Sequence, residues 1–179
     1  MTEKIENETI ENETIEDDDI DKAIPIYSIS SYGADYVVTD LVNRIEKEVI
    51  YVPKFQRKFV WRKDHKDSRF IESLLIGLPV PGIFLSKERE TKKLLVIDGQ
   101  QRLRTLQYFY RGKYDDGIKF SLKNVQERFE GHTYEDLPET DRRQLDDSIL
   151  HVTIVRQDEP PQDDSSIYQI FERLNTGGN

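Results

Sequence analysis

The sequence predicts an α+β domain behind a disordered acidic tail. Three observations carry this. Phe70, Ile71, Leu74 and Leu75 form one apolar stripe at helical spacing. Short, mostly apolar runs at 83–86, 94–97 and 149–155 alternate with such helical stretches. Residues 5–16 read IENETIENETIE, a period of five that fits neither helix nor strand.

That repeat lies in residues 1–21, which hold ten acids and one lysine. Dense negative charge without aromatics cannot build a core, so residues 1–22 are read as a disordered tail. The folded domain is expected over 23–179. Ile24, Ile26 and Ile29 suggest a short extended segment, and Thr39 or Asp40 can cap a helix bearing Leu41, Val42 and Ile45. Val49 to Val52 reads as a strand ended by Pro53. Asp64 is a plausible cap for the helix with the Phe70–Leu75 stripe. Gly77 suits its C′ position, and Pro79 and Pro81 prevent continuation. The runs 83–86 and 94–97 make a hairpin, Asp98-Gly99 breaks it, and a helix with Leu103, Leu106 and Phe109 inward runs to Gly112. Pro138 can open a helix through about Asp147. Ile149 to Val155 is a strand, and 158–164 is a Pro- and Asp-rich loop. Ser165 or Ser166 can cap a last helix carrying Ile167, Ile170, Phe171 and Leu174. The sequence stops in Asn175-Thr176-Gly177-Gly178-Asn179, which reads as a truncated end.

Composition excludes several chemistries. The 179 residues contain no cysteine, which removes thiol nucleophiles and disulfides and fits a cytoplasmic protein. No apolar run approaches the roughly 20 residues needed to cross a bilayer, so no membrane partner is expected. The histidines, His65, His132 and His151, show no zinc-ligand spacing, and P-loop and GxSxG motifs are missing. The net charge of −9 resides in the tail. Residues 51–111 hold 14 Lys/Arg against 6 Asp/Glu, and 112–179 hold 8 against 15. The middle third is therefore a candidate surface for an anion.

Two segments carry the chemistry. In Asp98-Gly99-Gln100-Gln101-Arg102, a helix N-terminus offers unpaired N–H groups, and Gly99 allows close backbone approach. Arg102 adds a fork of donors suited to phosphate. Asp98 can hold a metal ion or orient water, and Gln100 and Gln101 can bond a base, a ribose or a water. The plain alternative is a tight turn in which Asp98 caps the helix and Arg102 makes a surface ion pair. In Phe55-Gln56-Arg57, the polar pair can read phosphate or base. Phe55, Phe59 and Trp61 can stack on a base or simply pack in the core.

PKFQRKFVW, RFIESLLIGLPVPGIFL, VIDGQQRLRTL and IFERLNTGG, in this order, resemble the N-terminal domain of GmrSD-type restriction endonucleases, within the ParB/sulfiredoxin-like superfamily. The resemblance runs from about Leu41 to Asn179. It implies a small mixed sheet flanked by helices and a domain that binds and hydrolyses nucleoside triphosphate with Mg2+. It also implies a regulatory place in a modification-dependent restriction or antiphage system, with DNA and a separate nuclease domain or subunit as partners. On this resemblance Asp98, Gln101 and Arg102 are catalytic, with Asp98 a candidate Mg2+ ligand. Gln56, Arg57, Gly99, Gln100 and Arg102 bind nucleotide. Asn175, Thr176 and Gly177 match the last motif without a defined role. Lys58 stands where the family often has Pro, and Arg104 where it often has Thr. With Lys54, they are candidate contacts to DNA or phosphate. Sulfiredoxin chemistry is excluded, because it needs a cysteine. The alternative function is a non-hydrolysing DNA- or nucleotide-binding module. A nuclease acting in this chain alone finds no supporting motif.

Overall fold

A computed structural model describes residues 28–53 and 58–159, together with Glu172. The tail, the segment at Ile24 and Ile26, residues 54–57, the loop beyond Glu159 and the expected last helix (Glu172 apart) lie outside the described residues.

Five strands form one mixed sheet: β1 (Ser28–Val37), β2 (Ile50–Tyr51), β3 (Ile83–Lys87), β4 (Leu94–Asp98) and β5 (Ile149–Glu159). Their order across the sheet is β1-β5-β3-β4-β2. β1 pairs antiparallel with β5 over its whole length, from Ser28 opposite Glu159 to Val37 opposite Ile149. β5 lies parallel to β3, β3 is antiparallel to β4 as the hairpin requires, and β4 is parallel to β2. The helices are α1 (Val38–Glu46), α2 (Lys66–Leu75), α3 (Gln100–Arg111) and α4 (Glu139–Asp146). Both the α+β class and the mixed sheet agree with the sequence reading.

Alternation along the strands sends one set of side chains to a common core. Ile83 and Leu85, Leu94 and Val96, and Leu150, Val152 and Ile154 are all buried in it. The helices meet them with Leu41, Ile71, Leu74, Leu103, Leu106, Phe109 and Leu145. Each such side chain contributes about 1.5–3 kcal/mol by leaving water. Phe120, Leu122, Phe129 and Leu137, from the long connection between α3 and α4, join the same core.

Several predicted boundaries move. Thr39 and Asp40 do not cap α1, which starts at Val38 directly from β1. The Val38 N–H donates to the Ser148 carbonyl at 2.9 Å, so a distant segment satisfies the helix start. Asp40 instead pairs with Arg44 at 2.9 Å. Asp64 does not cap α2 either. It ends a 3-10 turn over Trp61–Asp64, and His65, at φ 52°, redirects the chain into the helix. β1 is far longer than the segment expected around Ile29, and β5 extends past Val155 to Glu159. Gly77 stands just beyond α2 at φ 74°, with Leu78 N–H bonded to the Ser73 carbonyl at 2.8 Å.

Candidate functional site

β4 ends at Asp98, and α3 begins at Gln100. The reversal between them falls on Gly99, whose φ of 97° disfavours any side chain. A Cβ built there would lie 2.3 Å from Ile83 Cγ2. The sequence reading gave Gly99 the task of admitting a ligand. The space a side chain would need belongs to Ile83, so β3 packing by itself already requires a glycine here. Nor does Asp98 cap α3, which has no side-chain cap. Gln100, the first helical residue, is buried.

Arg102 turns back over this bend. Its Nη2 donates to the Gly82 carbonyl at 3.0 Å and to Asp98 Oδ2 at 3.1 Å. Only 13% of the side chain is exposed, against 40% for Asp98, and the buried Nε has no hydrogen-bond partner. Gly82 is tightly held, because a Cβ there would meet the His151 carbonyl oxygen at 2.8 Å. The predicted surface ion pair thus exists, but its arginine is mostly buried and tied to backbone.

Gln101 faces another way. Its Nε2 donates to the Lys58 carbonyl at 3.0 Å, and its Oε1 accepts the Val60 N–H at 2.9 Å. One side-chain amide therefore clamps residues 58–60 against the start of α3. Lys54, Gln56 and Arg57 fall outside the described residues, whereas Lys58, their neighbour, is fixed beside the turn.

One helical turn on, Arg104 lines an open cleft of about 400 Å³ together with Lys58, Arg62, Tyr108, Asp115 and Asp116. The two residues that depart from the family pattern, Lys58 and Arg104, are thus brought together. Arg104 also borders a second cleft of about 290 Å³, between α3 and β2, with Val52 and Leu103 in its wall. Phe59 and Trp61 pack rather than lie open. Phe59 meets Tyr108 edge-on at 5.1 Å, and Trp61 meets Phe70 at 5.7 Å.

A family model for the N-terminal domain of the GmrSD restriction endonuclease matches residues 38–179. The chain belongs to the GmrSD N-terminal domain family. It is accordingly a restriction-system domain, and that family implies a nuclease as its partner. Comparison with curated proteins and with solved structures gave no match. The GmrSD match begins at the first residue of α1, so β1 completes the sheet from outside the matched region.

Around the GmrSD turn the structure adds residues that motif reading passed over. Arg62 lies 4.3 Å over the Tyr114 ring and 2.7 Å from Asp116. Tyr108 donates to Asp115 at 2.6 Å and accepts from Arg104 at 3.2 Å. Burial, and then the Asp115 bond, push the Tyr108 hydroxyl above its ordinary pKa. Burial and a bond to the buried Asp67 raise Tyr114 further. The spacing of Arg104 and Tyr108, one turn apart on α3, was the available signal. His132 and His151 pair with Asp136 and Asp35. Among the described residues no three His, Cys, Asp or Glu side chains gather as a metal set. No helix among them is long and apolar enough to cross a membrane.

Proposed function

We propose that this GmrSD N-terminal domain binds a nucleoside triphosphate with Mg2+ at the Asp98–Arg102 turn and hydrolyses it. In this reading it regulates a nuclease domain or subunit that acts on DNA. The observation that carries the proposal is the Gln101 clamp, which draws the residue after Gln56-Arg57 against the Gly99 bend. The first-turn N–H groups of α3 and the positive end of its dipole favour phosphate there. Arg102 keeps an unpartnered Nε within the same turn. Arg57 and Arg102 stabilise charge on the phosphates, a largely electrostatic task.

The donor set fits magnesium in its usual protein setting, where one or two carboxylates and the substrate phosphates suffice. Asp98 supplies one carboxylate, partly exposed at the mouth of the turn. An ion held there would supply charge neutralisation to the phosphates. Gln101, whose amide is spent on Lys58 and Val60, positions that segment rather than the attacking water.

The test is phosphate release by the purified chain from each of four nucleoside triphosphates, with and without Mg2+. Arg102→Ala is expected to lower the rate on the order of a hundred- to thousandfold, by analogy with lost oxyanion donors. Asp98→Ala is expected to weaken the Mg2+ dependence. Equal rates in the wild type and both variants reject the assignment.

A further inference from the structure

We propose a second anion site: the cleft between residues 58–62 and α3 binds a phosphate group through Lys58 and Arg104. This site is separate from the Arg102 turn, and only the nucleotide-tail source considered below rests on that turn binding nucleotide.

Three cations enter the cleft, and their partners differ. Arg62 is held by Asp116 at 2.7 Å, and Asp116 also accepts the Ile118 N–H at 3.1 Å. That pair is internally neutral. Arg104 touches Asp115 only at 3.8 Å, while Asp115 is 64% exposed and accepts the Tyr108 hydroxyl. Lys58 has no ion pair among the described residues, and Gln101 fixes its backbone at the cleft wall. Positive charge is therefore in surplus on the side formed by Lys58 and Arg104.

The second observation is an orphan. Arg104 Nε is buried and has no hydrogen-bond partner. A buried donor on a charged group is costly when unmet, and native chains rarely retain one without a use. The Arg104 side chain is 30% exposed where it lines the cleft, so an acceptor oxygen there reaches its outer N–H groups and offsets part of the cost of the buried Nε on the same guanidinium. The aromatic residues argue for phosphate over a base. Tyr114 is covered on one side by Arg62 and stacks on Phe120 at 4.7 Å, and Phe59 is turned edge-on against Tyr108. The cleft offers charge and a hydroxyl rather than an open stacking platform.

Phosphate can come from a DNA backbone or from the tail of a nucleotide seated at the neighbouring turn. The experiment separates the two. The whole chain is titrated with duplex DNA across a range of salt, with inorganic pyrophosphate, and with ATP and Mg2+. The wild type is compared with Lys58→Ala, Arg104→Gln, Arg104→Lys and Arg102→Ala. If DNA is the source, Lys58→Ala and Arg104→Gln each weaken DNA binding about three- to tenfold and reduce the salt slope by roughly one. Arg104→Lys then recovers part of the loss, and Arg102→Ala leaves DNA affinity unchanged. If the nucleotide is the source, the same two variants weaken pyrophosphate and ATP and spare DNA. Unchanged affinity for all three ligands in both variants overturns the site, as does failure of the wild type to bind any of them. Circular dichroism monitors folding. Should Arg104→Gln unfold, Lys58→Ala on the exposed rim still decides. Unaltered hydrolysis in Asp98→Ala and Arg102→Ala would remove the nucleotide reading and leave this one standing.

Discussion

The side-chain amide of Gln101 binds the Lys58 carbonyl at 3.0 Å, joining residues far apart in the chain at the mouth of the α3 turn. Replacing Gln101 by Ala removes this bond and the one to Val60. Both are partly open to solvent, so the stability loss should be small, about 1 kcal/mol in all. The functional loss should be larger and fall on KM for the nucleotide more than on kcat. Gln101→Glu should do no better, since a carboxylate cannot donate to the Lys58 carbonyl. Urea denaturation and steady-state phosphate release together check this. A fall in kcat with unchanged KM would point back to a role in water positioning.

Gly99→Ala should be the most destabilising small substitution at the turn. A left-handed φ costs a side chain roughly 1–2 kcal/mol. The clash with Ile83 Cγ2 at 2.3 Å adds about 1–3 kcal/mol of overpacking. Ile83→Ala in the same chain should relieve the clash but not the backbone strain. The double variant should therefore lose less than the two single losses combined, measured by urea midpoints.

Arg102→Lys tests geometry apart from charge. Lysine keeps the positive charge but cannot hold the Gly82 carbonyl and Asp98 with one planar fork. Stability should fall by about 1–2 kcal/mol as bonds to a charged donor are lost. Phosphate release should drop nearly as far as in Arg102→Ala. Recovery of the wild-type rate would mean that charge alone suffices at this position.

Alkaline titration should reveal four protected tyrosines, Tyr108 among them through burial and its bond to Asp115. Burial, then the Asp146 hydrogen bond, pushes Tyr134 up to about 12. The same two causes raise Tyr110 further, and Tyr114 is raised by burial and Asp67. A raised folded value means that the neutral phenol is favoured by folding. The contribution is full below the unfolded value of 10 and is lost as pH climbs toward 12. Part of the tyrosinate absorbance should thus appear only with unfolding above about pH 10. Asp146→Asn should let Tyr110 and Tyr134 ionise at lower pH, though not at the free value, because burial remains. Simple ionisation of all nine tyrosines near 10 would refute the packing described around Asp146.

The hairpin of β3 and β4 and the extent of α3 were legible because short-range signals agree there. Apolar residues alternate, and Gly99 and Gly112 mark the helix ends at positive φ. β1 was mostly illegible. SISSYGADYV is small, polar and largely exposed, and its extended form comes from pairing with β5. The connection from Lys113 to Leu137 was unread for a related reason. Phe120, Leu122, Phe129 and Leu137 enter the core at no regular spacing. Thr39 and Asp40 were misread as caps because the Ser148 carbonyl, remote in sequence, takes the first free N–H of α1. At the site, the Asp98–Arg102 turn is local and could be named from five residues. The cleft shared by Lys58 and Arg104 depends on the long-range Gln101 clamp, which no motif encodes.

Phe84 has two ladder partners, Asp98 on one side and Thr153 on the other. The strand that delivers the turn is thus one step from β5 in the sheet, through backbone alone. Movement of the bend therefore has a mechanical route through β3 to β5 whatever side chain occupies position 84. The protein also lacks cysteine, so a thiol placed at His151, which is 77% exposed on β5, would be its sole attachment point for a spin label or fluorophore. A reporter there could register ligand capture from the far side of the sheet without touching a residue that performs it.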